Sequence, residues 1–200
     1  MHIGIAWLGA VPFVYLISIF FDGRKFEMKR LYLIGGSMGV GKSATCRELK
    51  NKILNSVYLD GDVCWDMNPF RVNQRTCEMV IENICFLLNN FLRCPDIDTV
   101  IFGWVMHRQD IIDDILERVD TEDCEVYLFS LVCSEQELVH RIQSDIDSGR
   151  RKDDGIKERA LSRLPVYEEL DTVKIDTTCM TAKETAEHII AISDKFQTDV

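Results

Sequence analysis

The sequence predicts an α/β fold, a three-layer sandwich in which helices cover both faces of a five-stranded parallel sheet. Three observations lead there. From residue 28 onward, short apolar runs alternate with segments of helical periodicity, the pattern of a parallel sheet with crossover helices. The run TVIFGWV at 99–105 is apolar enough to lie buried on both faces, as interior parallel strands do. The first run passes directly into a glycine-rich turn and then a helical segment, LYLIGGSMGVGKSATCRELK over 31–50.

Taken in order, 31–35 reads as the first strand. A first helix follows at 41–54, with Ala44, Leu49 and Ile53 on or near one face. The stretch VYLD at 57–60 is a second short strand that ends on an acid. Residues 74–93 place Cys77, Val80, Ile81, Ile84, Leu87, Leu88 and Phe91 at helical spacing. The third strand at 99–105 leads to a helix at 110–119, and 125–132 is the fourth strand. Ser134 and Glu137 have capping-box spacing and open another helix. Residues 153–170 read as helical, interrupted by Pro165, and 173–176 is the fifth strand. Thr181 and Glu184 form a second capping box before the last helix. There is no internal repeat and no low-complexity linker.

The turn after the first strand is Gly36, Ser37, Met38, Gly39, Val40, Gly41, Lys42 and Ser43, running into Ala44. It fits G-x-x-x-x-G-K-[ST] at every fixed position, between a strand and a helix as a phosphate-binding loop requires. Main-chain N–H groups at a helix N-terminus point at bound phosphate, and the helix dipole favours its charge. Glycines let the backbone curl close around the oxygens. Lys42 is the expected point charge on the β- and γ-phosphates, and the Ser43 hydroxyl the expected Mg²⁺ ligand. The competing reading is a glycine-rich turn with an incidental lysine, and it must account for four matched positions in the right context.

The second strand ends Leu59-Asp60-Gly61-Asp62. In an open parallel sheet ligands bind beyond the carboxyl ends of the strands, so both acids should emerge near the loop. One is expected to take a proton from an attacking hydroxyl, the other to hold a Mg²⁺-bound water or a substrate group. The plain alternative is a turn in which Asp and Gly serve local geometry. Beyond these acids, Trp65, Phe70 and Arg71, with Trp104, His107 and Arg108 after the third strand, form either an acceptor pocket or ordinary packing. The basic cluster Arg150, Arg151 and Lys152, beside Gly149 between two helices, reads as a lid whose arginines would neutralise a transferring phosphoryl group. Arg141 is the next candidate, and Arg159 and Arg163 rank behind it.

With a phosphate loop followed about twenty positions later by L-D-G-D, residues 28 to about 195 resemble the small P-loop kinases of metabolites. Gluconate kinase and adenylyl-sulfate kinase are examples, and the stretch is also similar to the chloramphenicol phosphotransferase and polynucleotide kinase group. VYLDGDVCWDMNPF and IFGWVMH also look like stretches of bacterial nucleotide kinases or AAA-type ATPases. The resemblance implies a P-loop NTPase fold of nucleoside-kinase type, ATP and Mg²⁺ as cofactors, and a small-molecule or nucleotide acceptor. It implies a base emerging from the second strand, for which Asp62 is preferred to Asp60, with Ser43 and Asp62 around the metal. It also implies an arginine-bearing lid where Arg141, Arg150 and Arg151 stand, and an adenine site near Thr177. One departure matters: the third strand does not end on the acid expected of an ATPase that activates water, since Asp96 and Asp98 precede it. This favours phosphotransfer to an acceptor over the alternatives, a non-catalytic ATP-binding regulator or an AAA-type ATPase.

Composition bounds the partners. A net charge of −10 over 200 residues argues against a nucleic-acid polymer, which attracts basic surfaces. None of the eight cysteines makes a C-x-x-C pair, so a zinc site is not expected. Their apolar neighbours suit buried thiols in a reducing, cytoplasmic compartment. Residues 3–21 carry no charged side chain, about the length that spans a bilayer. They read either as a membrane anchor, with Arg24, Lys25, Lys29 and Arg30 holding the domain on the cytoplasmic side, or as a stretch upstream of a natural start at Met28. The expected organisation is this segment, 1–27, followed by one kinase domain, 28–200.

Overall fold

Residues 28–198 are described by a computed structural model; the segment 1–27, with its two readings, lies outside the described residues. The elements run β1 (Lys29–Gly36), α1 (Lys42–Lys52), β2 (Ser56–Asp60), α2 (Gln74–Arg93), β3 (Thr99–Gly103), α3 (Gln109–Arg118) and β4 (Cys124–Val132). They continue with α4 (Glu135–Asp147), α5 (Ile156–Arg163), α6 (Val166–Glu169), β5 (Val173–Asp176) and α7 (Ala182–Thr198), and a short 3-10 turn, Gly61–Trp65, follows β2. The five strands form one sheet in the order β2-β3-β1-β4-β5, parallel throughout.

Alternation along β1 divides the core. Leu31 and Leu33 face a cluster with Val80, Ile84 and Leu88 of α2 and Ile112 and Ile115 of α3. Tyr32 and Ile34 face the other, with Leu49 of α1, Leu138 and Ile142 of α4, Ala160 of α5, and Ala186 and Ile189 of α7. Both faces of the sheet are therefore covered, and the three-layer arrangement follows from the period-two pattern of its central strand.

Register positions the functional end. Gly103 of β3 pairs with Ile34 of β1 on one side and with Asp60 of β2 on the other. The carboxyl ends of three adjacent strands are thus level, and Asp60 stands two strands, about 10 Å, from the end of β1. Helix α1 packs over β3 and β2 and spans that gap from its N-terminus.

Several boundaries differ from those the sequence suggests. Strand β3 stops at Gly103, not at 105: Trp104 N still reaches Ile34 O at 3.2 Å, after which β1 turns away into its loop. Helix α1 ends at Lys52, where Ile53 turns to extended backbone. The 153–170 region is two short helices joined at Pro165. Only half of the Ser134 box forms. Ser134 Oγ accepts from Glu137 N at 3.2 Å, but the Glu137 carboxylate turns to Arg141 at 2.7 Å, and Ser134 N donates instead to Thr178. The Thr181–Glu184 box is complete, and α2 has an unforeseen reciprocal cap between Asn73 and Thr76.

Candidate active site

The loop joining β1 to α1 holds its shape through glycines and buried side chains. Gly36 and Gly39 adopt φ of +146° and +85°, a range that L side chains rarely enter. A Cβ at Gly39 would stand 2.6 Å from Ile142 Cγ1, and one at Gly36 2.8 Å from Leu131 O, so the backbone lies directly on β4 and α4. Val40 is buried. Ser37, also buried, donates to Ala160 O of α5 at 2.8 Å. Ala44 is exposed in the first turn of α1.

Lys42 Nζ lies inside this curl and donates to Ser37 O at 2.9 Å, rather than to a carboxylate. Burial lowers its pKa to about 8, opposed by the nearby negative charge of Asp62. A desolvated ammonium without a carboxylate in hydrogen-bond contact is a site prepared for an anion.

Asp60 is the organiser of the opposite wall. Its Oδ2 accepts from the Ser43 hydroxyl at 3.1 Å and from the Tyr58 hydroxyl at 2.8 Å. Its Oδ1 caps the following turn, accepting from Asp62 N at 3.2 Å. Asp62 is thereby turned toward the same space with its carboxylate less committed. Burial first, and then the charge of Asp60, push its pKa above the usual carboxylate range, against the pull of Lys42, Trp104 and Arg151. Ser43 therefore meets Asp60 directly, while Asp62 faces Lys42, Trp104 and Arg151.

The two arginines of the expected lid part company. Arg150 is two-thirds exposed and pairs with Asp145 at 3.1 Å. Arg151 is half-buried, lies 3.6 Å from the same carboxylate through Nε, and among the described residues gives that nitrogen no hydrogen-bond partner. Its charge acts on both Lys42 and Asp62. Arg141 is held elsewhere. It donates to Glu137, to Val40 O at 2.8 Å and to Thr177 O at 2.6 Å. With Val40, Gly41, Thr45, Thr177, Met180 and Thr185 it lines a cavity of about 290 Å³ on the far edge of the loop. The geometry thus joins Lys42, Ser43, Asp60, Asp62 and Arg151 into one cluster, with Arg141 and Thr177 at a second, adjoining one.

Sequence reasoning ranked Arg163 low. It lies at the end of α5, where its charge acts on His107 and on the Tyr167 phenol. Burial, and then Arg163, lower the His107 pKa. Tyr167 is fully buried, and its ring packs beneath Gly35. A run of Arg, Pro and Tyr two apart, at 163, 165 and 167, is the signal that would have found this group.

The donor set fits magnesium rather than a protein-caged metal. Among the described residues no group of three or more His, Cys, Asp or Glu is placed to hold an ion, whereas Mg²⁺ relies on one or two protein oxygens, substrate phosphates and water. Ser43 and Asp60 supply such oxygens. At the end of β3, Gly103 and Trp104 stand in place of a carboxylate. All eight cysteines are free thiols. No helix among the described residues is long and apolar enough to cross a membrane.

The sequence matches a family model described as an AAA domain over residues 33–162. No protein with a curated description matches it. Among solved structures the chain is similar to the tunicamycin resistance protein of Deinococcus radiodurans, at 19% identity and a TM-score of 0.63 over 82% of this chain and 95% of that one. It is similar to a gluconokinase from Sinorhizobium meliloti 1021, at 16% identity and a TM-score of 0.58 over 87% and 99%. It is also similar to shikimate kinase from Acinetobacter baumannii in complex with shikimate, at 18% identity and a TM-score of 0.56 over 85% and 96%. The fold is that of the P-loop kinases.

Proposed function

The chain belongs to the AAA domain family, and from that premise we propose that it is an ATP-dependent phosphotransferase, moving the γ-phosphate to a small-molecule or nucleotide acceptor. One observation carries the proposal: Lys42, Ser43, Asp60, Asp62 and Arg151 converge at the mouth of the glycine loop.

The loop amides and Lys42 grip the β- and γ-phosphates of ATP. Ser43 and Asp60 would hold magnesium together with phosphates and water, and the ion would offset phosphate charge. Asp62 accepts the proton of the acceptor hydroxyl as that oxygen bonds to the γ-phosphorus. The bond to the β-bridging oxygen breaks and ADP leaves with the electron pair. The raised pKa of Asp62 suits this work, because a general base acts best when its pKa approaches the working pH. Arg151 neutralises charge on the transferring oxygens, and the cavity beside Arg141 and Thr177 receives the base of the nucleotide.

Family membership alone also admits a water-using ATPase or a non-catalytic binder. The end of β3 speaks for an acceptor other than water, because β3 itself ends on Gly103 without the acid expected there of a water-activating ATPase. Calorimetry of the full chain should show ATP affinity that depends on Mg²⁺, and ADP release should rise with a pooled acceptor set. Absence of Mg²⁺-dependent ATP binding would refute the phosphotransferase reading. Phosphate release without an acceptor would replace it with an ATPase.

A further inference from the structure

The acceptor itself leaves a trace in the segment after β2. Four aromatic rings form a graded shelf beside Asp62. Phe102 is buried in the sheet, and Trp104 lies next to it with ring centroids 6.3 Å apart. Trp65 follows at 6.4 Å and Phe70 at 6.0 Å. Trp65 and Trp104 pack one side on the core and are only partly buried, while Phe70 is 67% exposed. Gly61 makes the approach to Asp62 tight, since a Cβ there would stand 2.4 Å from Trp104 Cγ.

Two further features give the shelf a chemical preference. Val63 and Val72 of the same segment are 70% and 65% exposed, so the chain between β2 and α2 leaves several apolar side chains in water in a protein of net charge −10. Large side chains left in water at a cleft mark a surface that a ligand covers. Within 60–73 the charges are Asp60, Asp62, Asp66 and Arg71, three acids against one base. The segment itself therefore offers an anionic acceptor a single cation, while Lys42 and Arg151 on the other side of Asp62 are taken up by the transferring phosphate in the reading above. The Trp65 indole N–H is buried with no hydrogen-bond partner among the described residues, an unsatisfied polar atom within the shelf.

We infer that the acceptor is an uncharged, ring-bearing alcohol, whose ring lies on Trp65 and Phe70 while its hydroxyl reaches Asp62. This inference rests on the phosphotransferase reading and narrows it, against sugar acids and nucleoside monophosphates. The step is the one already written: the alcohol oxygen bonds to the γ-phosphorus, its proton passes to Asp62, and ADP departs.

Binding is read by tryptophan fluorescence on the full chain, with and without Mg²⁺ and a non-hydrolysable ATP analogue. The probes are matched: uridine against uridine 5′-monophosphate, benzyl alcohol against benzoate, and ribose as an alcohol without an aromatic ring. The neutral ring alcohols should quench at least about tenfold more tightly than their anionic partners and than ribose. Phe70→Ala should weaken that binding about tenfold and Phe70→Tyr restore it, with ATP affinity unchanged in both. Tighter binding of the anions, or no binding of either ring alcohol up to about 10 mM, overturns the inference. Loss of Mg²⁺-dependent ATP binding in the wild-type chain is a separate failure, that of the phosphotransferase reading, because the shelf is also probed without nucleotide.

Discussion

The Ser43 hydroxyl donates to Asp60 Oδ2 across 3.1 Å, joining the first turn of α1 to the end of β2. Seventeen residues apart in sequence, the two meet because the strands end level and α1 lies across them. The same carboxylate also holds the Tyr58 hydroxyl and Asp62 N. Asp60 is thus an anchor that ties Ser43, Tyr58 and the turn together, and Asp62 is the acid left to take a proton.

The two acids should therefore fail differently. Asp62→Asn is expected to slow turnover about 10²- to 10⁴-fold while leaving ATP affinity within a few-fold. Asp60→Ala frees Ser43, Tyr58 and the turn, and should weaken Mg²⁺-dependent ATP binding as well. A base must be deprotonated, so kcat/KM in the wild type should fall as pH drops through the Asp62 pKa. That limb should lie above the range of a free carboxylate. Steady-state pH profiles with parallel calorimetry measure both effects.

Lys42 supplies a pH dependence of opposite sense. Its ordinary pKa of 10.5 falls to about 8 in the fold. Between those values the unfolded chain binds more protons than the folded one, so the unliganded protein should gain stability from this group as pH rises through the window. ATP affinity should do the reverse and decline above about pH 8, as the amine loses its charge. Lys42→Arg should keep a positive charge and flatten both trends. Chemical denaturation and calorimetry across this range provide the measurement.

Arg150 and Arg151 are adjacent in sequence but should not be equivalent. Arg151→Ala is expected to cost about 10²- to 10³-fold in turnover, through loss of charge stabilisation beside Lys42 and Asp62. Arg150→Ala removes an exposed pair with Asp145 and should change turnover less than about threefold. Equal losses from both would show that the lid presents either arginine.

Gly39→Ala tests the shape of the loop. The new Cβ meets Ile142 at 2.6 Å and the residue sits at φ +85°, so the variant should lose about 1–3 kcal/mol of stability. Its ATP affinity should fall further than stability alone explains, because the curl itself must open. Thermal denaturation with and without Mg²⁺–ATP separates the two contributions.

How much of this was legible beforehand differs residue by residue. The glycine loop was plain, since its chemistry is local: four positions in eight consecutive residues, bracketed by a strand and a helix. The bounds of α2 and β5 were equally plain, their apolar spacing and flanking signals agreeing with their burial. Arg141 was harder, because a basic residue near a lid looks the same whether it faces phosphate or, as here, grips Val40 O and Thr177 O from another element. Glu137 was misjudged as a reciprocal cap for the same reason: a competing cation one helical turn away took its carboxylate.

Alone, the sequence determined the layers, the phosphate loop and the acids that follow the second strand, because periodicity and short-range spacing are written along the chain. Only the tertiary structure decided which acid Ser43 touches, which lid arginine turns inward, and that four rings scattered over 65–104 make one shelf. Those relations depend on strand register and helix placement, which bring together residues that no local pattern connects.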